Sequence, residues 1–195
     1  MNRPALVATA VVLWPSLAEA HLVTTGLGPL YDGIAHFALT PEDLIPALAL
    51  SLLVGLRGPS HSRRVLFVLP CTWLLAAVVG LVTPHTASAL PSITFVVLGA
   101  LLAFDARLSL SVSTAVAAAL GGIHGYLNGT AVAQAALGLT ALVGIAAAVF
   151  TLVALASSAV VPLRAAWSRI VIRIAGSWIA AIGLLLLGWS LRPTG

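Results

Sequence analysis

The sequence predicts an all-α protein, a polytopic membrane helix bundle with about six transmembrane helices after a signal peptide. Three observations predict it. Of the 195 residues, 61% are hydrophobic and only 7% charged, at a mean hydropathy of +1.13, whereas a soluble domain carries roughly a quarter charged residues. Apolar stretches long enough to approach the roughly 30 Å of a bilayer core recur along the chain. The breaks between them carry arginine on alternate sides only, the bias expected of cytoplasmic loops.

Taken in order, residues 1–20 read as a signal peptide. Asn2-Arg3 is a short positive start, Ala5 to Trp14 an apolar run too short to span comfortably, and Ala18-Glu19-Ala20 a small-x-small cleavage site. Cleavage would leave His21 as the mature N-terminus, where its α-amine and imidazole could chelate a metal together, unless the terminus simply frays. Residues 21–195 then form a single transmembrane domain. Its expected spans are 43–56, 65–82, 90–104, 109–127, 131–161 and 170–191. Pro46 should kink the first of them.

Six spans with a translocated N-terminus put Arg57, Arg63, Arg64, Arg107, Arg164, Arg169 and Arg173 inside and only Arg192 outside. That is the positive-inside bias obeyed at every loop. Trp167, Trp178 and Trp189 flank or end the last span, where amphipathic rings prefer the interface. The partner this implies is the lipid bilayer of a bacterial inner membrane, with both mature termini extracytoplasmic. The pI near 10.7 does not imply nucleic acid, because the arginines lie in short loops rather than on one solvated face. Cys71 is the only cysteine and says nothing of redox compartment.

Polar chemistry is scarce here, so where it collects is informative. Four of the five histidines, His21, His36, His85 and His124, fall on the expected outer side, and His61 alone on the inner. The first constellation is His36-Phe-Ala-Leu-Thr40-Pro41-Glu42-Asp43-Leu44. A helix continuous through it would align His36, Thr40 and Asp43 on one face, an imidazole and a carboxylate suited to a divalent cation. The competing reading is a helix start: Thr40 as N-cap, Pro41 at the first position, Glu42 and Asp43 at the positive end of the dipole. The second constellation is Gly121-Gly122-Ile-His124-Gly125-Tyr126-Leu127-Asn128-Gly129. His124 and Asn128 would stack one turn apart, offering a ring nitrogen and an amide oxygen. Alternatively Asn128-Gly129 is a helix C-cap and His124 an interfacial histidine bonded to a neighbour.

At these residues the chain resembles the HupE/UreJ family of small bacterial membrane proteins, associated with nickel supply to hydrogenase and urease. The family's first motif runs His-Pro-x-x-Gly-x-Asp-His-Leu. His36 and Leu44 match its ends, Glu42 stands at the aspartate and Asp43 at the second histidine, while Phe37 and Thr40 replace the proline and glycine. Its second motif runs His-Gly-x-Ala-His-Gly-x-Glu. His124, Gly125 and Gly129 match, Asn128 replaces the second histidine and Ala131 the glutamate. Each motif thus keeps its first histidine and exchanges the second for a shorter oxygen-bearing side chain. Fewer imidazoles should lower affinity for nickel or copper.

The resemblance implies a permease for a divalent transition-metal cation, nickel foremost, as cargo rather than resident cofactor. Its metal ligands would be His36, Glu42, Asp43, His124, Asn128 and His21. The alternative it implies is an accessory membrane protein that binds metal, or a metalloenzyme-maturation partner, without moving the ion. Small-residue faces such as Ala117-x-x-x-Gly121 would serve helix contacts, within one copy or between copies. No enzyme is expected. Cys71, Ser109, Ser111 and Ser113 lie in apolar runs with no paired histidine motif, and His-Glu-x-x-His is absent.

Overall fold

A computed structural model describes residues 24–84, 90–163 and 165–192. The expected signal peptide, His21 and His85 lie outside the described residues. Seven helices make up the described fold: α1 (Pro29–Leu39), α2 (Pro41–Arg57), α3 (Pro59–Val82), α4 (Leu90–Ala103), α5 (Leu110–Gln134), α6 (Gly138–Val160) and α7 (Ala166–Ser190). Among the described residues no strand occurs.

The six-span expectation needs correction. By length and composition, α3, α5, α6 and α7 are long and apolar enough to cross a membrane. A fifth crossing results if α1 and α2, bent by 72° at their junction, are counted as one broken span. The 14-residue α4 would reach only about 21 Å at 1.5 Å per residue, short of the core thickness. An apolar run of that size marks a buried or re-entrant segment as readily as a span.

The junction of α1 and α2 settles the first pair of sequence readings. Thr40 is extended (φ −99°, ψ 96°), so His36, Thr40 and Asp43 do not lie on one continuous helix. Thr40 occupies the N-cap position of α2, yet its side chain caps nothing there. Its hydroxyl instead donates to the His36 carbonyl at 2.6 Å, closing the last turn of α1. Pro41 follows as the first residue of α2, where its missing N–H costs nothing.

α2 is the central helix and touches each of the other six. Its buried residues, among them Ala47, Ala49, Leu50, Ser51, Leu53 and Val54, face all sides of it, the pattern of a helix enclosed by protein rather than one with a lipid face. Around it the most extensive pairings are α3 with α5, α4 with α7, and α1 with α6. Lipid-facing bulk is conspicuous on α7, where Trp167, Val171, Trp178, Leu185 and Trp189 are exposed.

The contact of α3 with α5 explains a second correction. The break expected near Gly125–Thr130 does not occur; α5 runs through Asn128 and Gly129 to Gln134, and the chain turns at Ala136 and Gly138, both with positive φ. Gly125 and Gly129 are therefore not stops. A β-carbon at Gly125 would lie 2.2 Å from the Trp73 carbonyl oxygen, and one at Gly129 would lie 2.0 Å from that of Ala77. Glycine at this spacing lets two backbones touch, and dispersion across the contact replaces a hydrophobic drive that lipid cannot supply.

Candidate functional site

Asp43 sits in the first turn of α2, buried, and its carboxylate is the hub of the polar interior. The Nδ1 of His124 donates to Asp43 Oδ1 at 2.8 Å, and Asn128 Nδ2 donates to Asp43 Oδ2 at 2.8 Å. His124 is wholly buried and Asn128 nearly so. They lie one turn apart on α5, as the sequence spacing predicts, and the continuation of that helix is what lets both reach one carboxylate. Thr94 of α4 completes the chain: its Oγ1 is 2.9 Å from His124 Nε2 and 2.7 Å from the Pro91 carbonyl oxygen.

The single hydroxyl hydrogen of Thr94 can serve one of those two partners at a time. Given to Pro91, it leaves His124 to donate from both nitrogens, as an imidazolium paired with Asp43. Given to Nε2, it leaves the ring neutral with its Nδ1 hydrogen on Asp43. In both arrangements Nδ1 is tied to Asp43, so Nε2 is the nitrogen a ligand could reach by displacing Thr94.

Aromatic residues enclose the pair. The Trp73 ring lies 5.5 Å from the His124 ring, tilted by 34°, and Phe37 meets Trp73 edge-on at 5.7 Å. Two buried polar atoms here have no hydrogen-bond partner, Trp73 Nε1 and Asn128 Oδ1. An orphaned amide oxygen beside a buried carboxylate is an unused acceptor, and burying one costs about 1–3 kcal/mol unless something bonds it.

The remaining sequence candidates divide. His36 is half-buried in the last turn of α1, within electrostatic reach of Asp43. Glu42 is exposed, so of the two adjacent carboxylates only Asp43 turns inward. Among the described residues, no group of three or more His, Cys, Asp or Glu side chains is arranged to hold a metal ion. Asp43, His124 and Asn128 come together, with an amide as the third member.

Sequence reasoning missed Thr94 and Trp73, which stand in no motif. It also missed two structural carboxylates. Asp32 accepts from the Thr25 backbone N–H at 2.6 Å and its hydroxyl at 2.7 Å, pinning the approach to α1. At the far end of α2, Arg57 pairs with Asp105 beyond α4, and Arg169 of α7 reaches the same carboxylate at 3.4 Å. In a chain with only five acids, each acid was a signal worth following.

The chain matches the family model described as HupE / UreJ protein over residues 9–186. It belongs to the HupE/UreJ family. No curated protein and no solved structure matches it. HupE/UreJ proteins are associated with nickel or cobalt transport or with accessory functions. Set against the HupE/UreJ motifs, the geometry adds one observation. Asp43 and Asn128, which replace the second histidine of each motif, are bonded to each other.

Proposed function

We propose that this HupE/UreJ protein is an inner-membrane permease for a divalent transition-metal cation, captured at an extracytoplasmic site built on Asp43, His124 and Asn128. His36 guards the approach. Nickel is the cargo that the family association puts first. The observation that carries the reading is the orphaned Asn128 Oδ1, buried next to the Asp43–His124 pair. Ionisable groups inside a membrane bundle are expensive, and they mark ion pathways more often than scaffolds. The arginine-bearing end, where Arg57 and Arg169 meet Asp105, lies at the other end of α2 and suits the cytoplasmic face. His21 belongs to the proposal only as a further donor at the mouth.

Radioactive nickel uptake into cells tests it, at matched expression, with the unaltered protein, His36→Ala, His124→Ala and Glu42→Ala. Uptake should fall in the two histidine variants and persist with Glu42→Ala, whose side chain faces outward. Equal uptake in all four overturns the proposal.

One observation favours the accessory reading. Both nitrogens of His124 and both oxygens of Asp43 have partners within the protein, as a staple joining α2, α4 and α5 would require. Metal flux in proteoliposomes holding this protein alone separates the two readings.

A further inference from the structure

The donor set around Asp43 is unbalanced toward oxygen. Asp43 contributes two carboxylate oxygens, Asn128 its unpartnered Oδ1 and Thr94 its Oγ1, against one reachable nitrogen, His124 Nε2. Imidazole suits nickel, copper and zinc, whereas carboxylate, carbonyl and hydroxyl oxygens suit manganese, magnesium and calcium. Cations of the latter kind keep water in their shell, so they need no complete cage of protein ligands.

The bond between Asp43 and Asn128 makes the imbalance a joint property. The Asn128 amide spends its NH₂ on Asp43 Oδ2, and that contact fixes which way the amide lies. Its oxygen is left as the free end. A histidine at either position alone would break the bond and leave the other member without its partner, so the two positions are chemically one unit.

We infer that Asp43 and Asn128 act together as a selectivity element, holding the site to oxygen-preferring divalent cations such as Mn²⁺ at the expense of Ni²⁺. This deepens the permease reading and rests on it. Intrinsic affinities run upward from Mn²⁺ to Ni²⁺ at any mixed site, so the informative quantity is the ratio between the two ions.

The experiment is competition between Mn²⁺ and Ni²⁺ for the full chain purified in mild detergent, with bound manganese read by the loss of its free electron-paramagnetic signal. For the unaltered protein, the nickel-to-manganese affinity ratio should stay within roughly tenfold, as expected of oxygen donors. In the double variant Asp43→His/Asn128→His it should rise by roughly tenfold or more, through two added imidazoles. A ratio above about a hundredfold in the unaltered protein overturns the selectivity inference and leaves the permease reading standing. Failure to bind either ion removes both. The unaltered protein alone decides the matter if the double variant does not fold.

Discussion

Asp43 and Asn128 are 85 positions apart in the chain, yet their buried side chains share a 2.8 Å hydrogen bond. The bond joins the first turn of the central helix to the middle of α5. Removing either partner should cost more than the bond itself is worth. Asp43→Ala strips the acceptor from both His124 and Asn128 and should lower stability by about 3 kcal/mol, the range for breaking a buried charged pair. Asn128→Ala should cost about 1–2 kcal/mol. In a double-mutant cycle followed by thermal denaturation in detergent, the pair should show a coupling of about 1 kcal/mol. Strict additivity would mean that the two side chains do not act on each other.

Two glycines three positions apart on α5 should respond in opposite ways. Gly125→Ala forces a methyl group onto the Trp73 backbone and should destabilise by about 1–3 kcal/mol through overpacking. A β-carbon at Gly122 meets nothing within 4 Å. Gly122→Ala should therefore be neutral or stabilise by up to about 1 kcal/mol, through helix propensity. Melting temperatures of the two variants in the same detergent make the comparison. The same sign for both would sink the close-contact account of the α3–α5 seam.

At the far end of α2, the Arg57 side chain is 9% exposed and its Nε has no partner. Asp105→Asn leaves that guanidinium charged and unpaired, and a loss of about 3 kcal/mol is expected. Arg169→Gln should cost less than about 1 kcal/mol, because that side chain is half in solvent and its contact is long. Chemical or thermal unfolding of the two variants checks the ranking, and a larger loss from Arg169→Gln would reverse the assignment of the principal partner.

Much of this molecule was legible in its sequence, for definable reasons. Apolar run length placed α3, α6 and α7 within a few residues to several of their ends, because lipid imposes that length. The i, i+4 spacing placed His124 and Asn128 on one face. What escaped was whatever depended on neighbours. Gly129 reads as a stop in isolation, and only the backbone of α3 alongside makes it part of a continuous helix. Thr94 and Trp73 look like ordinary span residues, since their place beside His124 is set by packing of α3 and α4. Glu42 and Asp43 are indistinguishable in sequence. The 72° elbow at Thr40 decides which of them is buried.

Pro46 has a consequence for how the central rod yields under load. It stands three residues after Asp43 and eleven before Arg57, inside α2, and it withholds one rung of the backbone ladder there. Bending is cheapest at such a point. The first turn of the rod, with its carboxylate, is therefore the end that swings, and the long remainder is clamped where Arg57 holds Asp105.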